Sequence, residues 1–140
     1  MIDVIEKLKD DEQYYGEFGQ QYLSNSNIGS LLKDPSSFKK REPDNSAFAK
    51  GRYFHQLILE PEKAIHTVFV DVASRNSKAY KEFCAEAGLG FALLEKEKHE
   101  VQGLVEKMLS NFTLHEDIRN EKCVYELPAV KEIAGEMWKG

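Results

Sequence analysis

His55 is the residue whose type and surroundings first suggest chemistry in this sequence. It lies in a largely apolar stretch, residues 48–61, and Gly51 precedes it by four positions. Residues four apart lie on one face of a helix, so the two would be neighbours. A glycine within a helix costs about 1 kcal/mol relative to alanine and usually has a packing reason. At Gly51 the missing side chain would let another backbone or a ligand approach His55, which is a first indication of a site.

A basic triplet, Lys39-Lys40-Arg41, offers a second kind of chemistry. Clustered lysines and arginines give proteins their affinity for phosphate, so one interpretation is a contact with nucleic-acid phosphates. The other is a solvated face whose positive charge is favourable at a helix end. The aromatic residues within residues 14–22 have a similar pair of interpretations: stacking on bases, or packing beneath a loop to complete a core.

Glu126 is a third candidate. Residues 122–128 alternate as a strand does, and Glu126 would share a face with Val124, opposite Tyr125 and Leu127. An acid in the middle of such a strand either faces solvent or lines a cleft. The residues around it leave both interpretations open.

The helix that carries His55 has recognisable boundaries. Asn45 and Ser46 precede it, and their side-chain oxygens can accept hydrogen bonds from its first amides. Pro61 ends it, because proline lacks an N–H donor and disfavours helix at the residue before it. The apolar residues within residues 54–59 leave little room for a polar side, so this helix is predicted to be buried nearly all round.

The other elements follow from apolar spacing, capping residues and glycine stops. Helices are predicted at residues 2–9, 24–32, 78–87 and 94–111, with a further turn starting at Asp34-Pro35. Strands are predicted at residues 64–70, 122–128 and 133–138, and residues 14–22 are predicted to form an ordered loop. The sequence therefore predicts an α+β fold in one domain, residues 1–140, with a helical N-terminal part packed on the start of a mixed sheet.

The composition limits the class of protein. A chain of 140 residues can bury an ordinary core. The net charge of −5 argues against a protein that coats nucleic acid, although it leaves room for a local basic groove. Cys84 and Cys123 show no metal-binding spacing and are predicted to be unpaired, buried thiols in a reducing compartment. With neither a membrane-spanning run nor a signal-peptide pattern, the expected location is the cytoplasm, with no membrane partner.

Two groups of residues together resemble a known family. Ser24-x-Ser26, Leu31 and Pro35-x-x-Phe38 form the first group, and Gly51-x-x-x-His55 followed by Leu59-Glu60-Pro61 forms the second. Their order and separation resemble the RecB/RecE-type nucleases of the PD-(D/E)XK superfamily, in particular the phage exonucleases akin to exodeoxyribonuclease VIII. The later positions Arg75, Lys78-Ala79-Tyr80 and Glu126 also fit this layout. The resemblance covers essentially the whole chain but only the front part of the family domain.

The resemblance implies metal-dependent cleavage of DNA by a protein that holds Mg²⁺ or Mn²⁺. His55 matches the family's active-site histidine, and Glu126 matches the acid on the first core strand, so both are candidate catalytic residues and metal ligands. Lys39, Lys40 and Arg52 would meet the DNA backbone.

Trp138-Lys139-Gly140 is similar to the segment that leads into the strand of the family's metal-binding Asp. That Asp and the following (D/E)-x-Lys pair have no counterpart in these residues. Because Mg²⁺ usually needs carboxylates together with substrate phosphate, the chain is predicted to be inactive alone.

The predicted function is therefore the N-terminal part of a DNA exonuclease of phage recombination, completed by the rest of the domain or by a partner protein. An alternative is a non-catalytic DNA- or protein-binding or regulatory module on a degenerate nuclease scaffold. A third is an unrelated small α+β protein in which His55 is a satisfied core histidine. A fragment should associate through an unfinished sheet, whereas an evolved module should be monomeric and fold cooperatively.

Overall fold

The computed structural model describes residues 2–140, which form a mixed α+β chain in which helices predominate. The helices are α1 (Ile2–Leu8), α2 (Asp11–Tyr15), α3 (Glu17–Gln20), α4 (Asn25–Lys33), α5 (Ser46–Leu59), α6 (Pro61–Ala64), α7 (Lys78–Ala87), α8 (Glu95–Leu109) and α9 (Phe112–Ile118). A 3-10 turn lies at Pro35–Ser37, and the strands are β1 (Phe69–Val70), β2 (Leu93–Leu94), β3 (Val130–Ile133) and β4 (Glu136–Lys139). The predicted α+β class is confirmed at this level.

The chain forms two compact units. The central unit is Pro43–Cys123, and the terminal unit joins the residues up to Glu42 with Val124–Gly140. Each unit has its own two-stranded sheet, a parallel pair of β1 and β2 in the central unit and an antiparallel hairpin of β3 and β4 in the terminal unit.

The core of the central unit lies on both faces of its short parallel sheet. Because successive side chains on a strand point to opposite faces, Leu93 and Leu94 enter different apolar clusters. Leu93 packs with Ala49 and Tyr53 of α5 and Val101 of α8. Leu94 packs in the second cluster, which includes Val70, Tyr80, Cys84 and Ala92. Burial on both faces is the usual state of parallel strands, and here it fixes α5 and α7 on opposite sides of the sheet.

The terminal unit is organised around its hairpin. Ala134 and Gly135 connect the strands with positive φ angles of 53° and 83°, as the two central residues of a type I′ turn require. The other edge of β4 pairs with Leu23, whose N–H donates to the Met137 carbonyl at 2.9 Å. The Lys139 N–H donates to the Leu23 carbonyl at 2.8 Å. The segment before α4 is therefore hydrogen-bonded to the C-terminal hairpin.

The elements with strong local signals agree with the sequence predictions. Helices α1, α4, α7 and α8 lie where the apolar spacing placed them. The Asn45 side chain caps α5 by accepting from the Phe48 N–H at 3.0 Å, and Asp34 caps the turn that begins at Pro35. Gly88 ends α7 in the left-handed conformation, with φ of 65°.

Several predicted elements are wrong. Residues 14–22 contain the end of α2 and all of α3 rather than a loop, and within residues 64–70 only β1 is a strand. Residues 122–128 form no strand. The strand predicted at residues 133–138 is confirmed in part, since this range holds the end of β3, the turn and most of β4. The errors in the strands concern short segments whose pairing depends on a distant partner, which local pattern does not specify.

The cysteines and the helix lengths bear on two further predictions. Both Cys84 and Cys123 are unpaired thiols, but only Cys84 is buried and Cys123 is exposed, so the prediction of burial is wrong for Cys123. Within residues 2–140, the helices all fall short of the length and apolarity needed to cross a bilayer.

Candidate functional site

The central unit contains an open cleft beside α5, with a volume of about 340 Å³. We call it the Arg52 cleft. Its lining combines charged and polar groups with an apolar wall: Asp44, Ala49, Arg52, Tyr53, Gln56, Lys63, His66, Thr67, Val68, Leu89, Phe91, Ala92 and Leu93. Apolar walls with a few convergent polar groups are typical of ligand sites of this size.

Helix α5 positions the polar side of this cleft. Its inner face buries Ala49, Tyr53 and Ile58, whereas Arg52 and His55 are exposed. The predicted burial nearly all round is therefore wrong. The reason is that Arg52, His55 and Gln56, which are three and four residues apart, share one side of the helix, so this side faces away from the packed one.

Pro61 brings a second set of polar groups to the cleft. It begins α6 directly after α5 ends, and the chain then turns back so that Lys63, His66 and Thr67 join Arg52 and Gln56 in the lining. The sequence predictions gave Lys63 no role, and they missed His66 and Thr67 because residues 64–70 were expected to be a strand. The Glu60-Pro61 pair was the available signal, since proline at a first helical position starts a new helix.

Arg52 already has an anionic partner. Its Nη2 lies 2.9 Å from Asp44 Oδ1, and its Nη1 lies 3.5 Å from Asp44 Oδ2. The two side chains are 51% and 42% exposed, so the pair contributes little to stability and solvent or a solute can reach both groups. Lys63 Nζ lies 2.5 Å from Glu60 Oε1 in a second exposed pair.

A buried polar network fixes the apolar wall of the cleft. The Tyr80 hydroxyl accepts from the Ala92 N–H at 2.9 Å and donates to the Ala92 carbonyl at 3.1 Å. The Arg75 guanidinium lies over the Phe91 ring, 4.5 Å from its centroid. Arg75 also forms an ion pair with the buried carboxylate of Glu97. Tyr80 therefore fixes the backbone of Ala92, and Arg75 fixes the ring of Phe91, both in the apolar wall of the cleft.

Glu97 connects Arg75 to the first residues of α5 and α8. Its Oε2 accepts from the Leu94 N–H at 2.8 Å, and its Oε1 accepts from the Ser46 hydroxyl at 2.6 Å. Burial acts to raise the pKa of Glu97, but the hydrogen bonds from Arg75, Leu94 and Ser46 outweigh it and hold the pKa at about 2. Glu97 therefore stays ionised and joins the beginnings of α5 and α8.

His55 lies next to the cleft rather than in its lining. It is three residues after Arg52 on the exposed side of α5, and its ring meets Phe54 edge-on at 6.1 Å between centroids. Within residues 2–140, the cleft lining includes Arg52 but not His55.

Glu126 and the basic triplet lie in the terminal unit. Glu126 is exposed and has a φ of 52°, so its predicted place on a strand is wrong: an extended strand requires negative φ. Lys39, with φ of 57°, donates from Nζ to the Gln20 carbonyl at 2.8 Å, and Lys40 is exposed. The structure thus places His55 and Arg52 in one unit and Glu126, Lys39 and Lys40 in the other.

The described residues do not by themselves fit a magnesium site. Within residues 2–140, no three or more His, Cys, Asp or Glu side chains are gathered closely enough to hold a metal ion. One imidazole with one carboxylate, the pair predicted from the sequence, falls short of the octahedral oxygen shell that Mg²⁺ prefers.

The space over Gly51 is open. A Cβ at this position would have no atom of another segment within 4 Å, so the packing reason predicted for this glycine is not found among the described residues. We expect Gly51→Ala to raise the free energy of unfolding of the central unit by about 1 kcal/mol, because alanine is the better helix former. Urea unfolding followed by circular dichroism measures the change.

Gly103→Ala is a matched control for this substitution. Gly103 is also an exposed helical glycine, in α8, with open space where a Cβ would stand. The two variants should gain similar stability. Destabilisation by Gly51→Ala alone would show that the space beside His55 is occupied in the folded protein.

No protein-family model, no curated protein and no solved structure matches this chain.

Proposed function

We propose that this chain is part of a metal-dependent DNA exonuclease of the RecB/RecE type, with a PD-(D/E)XK-like core and a cytoplasmic location. The proposal starts from the glycine–histidine helix and the serine- and proline-containing segment before it. The observation that carries it is that α5 exposes Arg52 and His55 one turn apart, at the edge of a cleft whose lining also holds Lys63 and His66. Basic groups around an open cleft suit a phosphate backbone.

In this proposal the chain binds and orients DNA rather than completing the catalytic centre. Arg52 offers a fork of donors that matches two phosphate oxygens, and Lys39 and Lys40 add positive charge on the terminal unit. His55 in the central unit and Glu126 in the terminal unit are each proposed as a ligand for Mg²⁺ or Mn²⁺. The remaining ligands and the lysine would come from another segment of the same protein or from a partner, and the metal would supply the nucleophilic water and neutralise phosphate charge.

Binding of a short linear duplex, followed by fluorescence anisotropy at several salt concentrations, tests the DNA-binding part. We expect measurable affinity at low salt. Arg52→Ala should make the slope of log affinity against log salt shallower by about 1, because one phosphate contact is lost. Lys50→Ala is the matched control, since Lys50 is also on α5 but pairs with Glu100 at 3.3 Å and lies outside the cleft lining. Equal effects of the two substitutions, or no binding at low salt, would contradict the proposal.

Digestion of linear DNA tests the division of labour. The purified chain with Mg²⁺ or Mn²⁺ is expected to leave the DNA intact. Metal-dependent digestion that His55→Ala abolishes would show that these residues suffice for catalysis and would overturn the predicted inactivity.

The alternative function, a non-catalytic binding or regulatory module, keeps the same fold without a role for His55 and Glu126. The exposed position of His55 outside the cleft lining is the observation that favours it. The paired variant His55→Ala/Glu126→Gln separates the two functions, because only a nuclease part should lose Mn²⁺ binding, measured by electron paramagnetic resonance with DNA present.

A further inference from the structure

We infer that the Arg52 cleft binds one nucleotide unit through its phosphate, and that the Asp44 carboxylate occupies the phosphate position until the nucleotide displaces it. The choice of a nucleotide rests on the proposed function. The displacement by an anion rests on the geometry of the cleft alone.

The contact between Arg52 and Asp44 has the form of an anion site that is already filled. Two guanidinium nitrogens face the two carboxylate oxygens, at 2.9 and 3.5 Å. A phosphate presents two oxygens to an arginine in the same parallel arrangement. A phosphate group can therefore replace the carboxylate without any change in the position of Arg52.

The position of Asp44 allows its carboxylate to move away from Arg52 as well as to pair with it. It lies before α5, in a segment without helix or strand, and its side chain is 42% exposed. An exposed ion pair stabilises a protein only slightly, because water solvates the separated charges. Separation of Asp44 from Arg52 therefore costs little free energy. Once Asp44 has moved away, Arg52 leaves an uncompensated positive charge in the cleft lining, and Lys63, which pairs with Glu60, adds a second basic group beside it.

The rest of the lining fits the remaining parts of a nucleotide. Val68, Leu89 and Phe91 supply apolar surface for a base or a sugar, and Gln56, His66 and Thr67 supply hydrogen-bonding groups. The volume of about 340 Å³ lies at the low end of the range for small-molecule sites. It suits one nucleotide, either free or as part of a strand, rather than a larger ligand.

The test uses the 140-residue chain and two probes: deoxyadenosine monophosphate and a short single-stranded oligonucleotide. Calorimetry gives their affinities, and amide chemical shifts give their position. Asp44→Asn should bind the mononucleotide about fivefold more tightly than the natural chain, the effect of removing one charge about 4 Å away in water. Arg52→Gln should lose most of the binding, and the largest shifts should fall on residues of the cleft lining.

Glu100→Gln is the matched control, because it changes the net charge by the same amount outside the cleft. Both exposed positions, 44 and 52, are expected to tolerate substitution, and circular dichroism verifies the fold of each variant. An equal gain from Glu100→Gln and Asp44→Asn, or shifts away from the cleft, would overturn the inference.

The two probes separate this inference from the proposed function. Oligonucleotide binding that is insensitive to Asp44→Asn would overturn the cleft inference and leave the proposed DNA binding standing. Mononucleotide binding in the cleft without oligonucleotide binding would support the inference for the free nucleotide and contradict the proposed function.

Discussion

Replacing Gly19 with alanine is expected to destabilise the terminal unit by about 3 kcal/mol or more, because the added methyl group meets backbone. Gly19 is buried in α3, and a Cβ there would overlap the carbonyl group of Tyr14. It would also lie 2.7 Å from Lys139 Nζ. A backbone carbonyl cannot move aside as a flexible side chain can, so α2 and α3 would have to separate.

The C-terminal strand β4 contacts α2 next to Gly19, through Lys139 and Tyr14. Lys139 Nζ donates to the Tyr14 carbonyl and lies 3.9 Å from the centroid of the Tyr14 ring. Burial lowers the pKa of Lys139, and the nearby charge of Lys39 lowers it further. The methyl group of Gly19→Ala would therefore disturb both the turn between the helices and the lysine that joins β4 to α2.

Trp138 provides the measurement, because it is the single tryptophan of the chain and lies in the terminal unit. Its fluorescence in urea should show an early transition in Gly19→Ala, while the helical circular dichroism of the central unit persists. Gly29→Ala is the control, since Gly29 is a helical glycine of the same unit with open space over it. A Gly19→Ala transition at the natural urea concentration would show that the two helices can separate without cost.

The second large effect is expected at Glu97. Glu97→Gln should lower the free energy of unfolding of the central unit by about 3 kcal/mol, because it leaves the guanidinium of Arg75 without its carboxylate. Glutamine keeps one acceptor oxygen for the Leu94 N–H, and its NH2 group can donate to the Ser46 hydroxyl oxygen. The loss of stability therefore reports mainly on the charge. Glu95→Gln is the control: Glu95 is on the same helix and forms a partly exposed pair with Lys98 at 3.0 Å.

The pH dependence of stability has a defined sign. The pKa of Glu97 is about 2 in the folded chain, against an ordinary value of 4.5. The stabilisation is therefore complete above pH 4.5 and is lost as the pH falls towards 2. This difference in pKa corresponds to a decrease of about 3 kcal/mol in the free energy of unfolding once Glu97 is protonated. Urea unfolding between these pH values should show the decrease in the natural chain and a smaller one in Glu97→Gln.

The sequence by itself determined the elements whose causes are local. Asn45 caps α5, Pro61 separates it from α6, and Gly88 ends α7, because each acts on backbone groups within four residues. Helix α8 follows from a stripe of apolar residues at helical spacing. Of its predicted members Val101 and Val105 are buried, whereas Leu104 and Phe112 are exposed. The candidate roles of His55 and Glu126 also came from sequence alone, and they stay predictions.

Only the tertiary structure decided which polar residues meet. Glu97 had no special mark in the sequence, yet it is buried and joins Ser46, Leu94 and Arg75. Lys63 and His66 reach the Arg52 cleft only because the chain reverses at Pro61. The short strands likewise depend on their partners rather than on their own residues. Hydrogen bonds and ion pairs between distant segments form after the chain has closed a long loop, and a local pattern of residues does not specify which segments will meet.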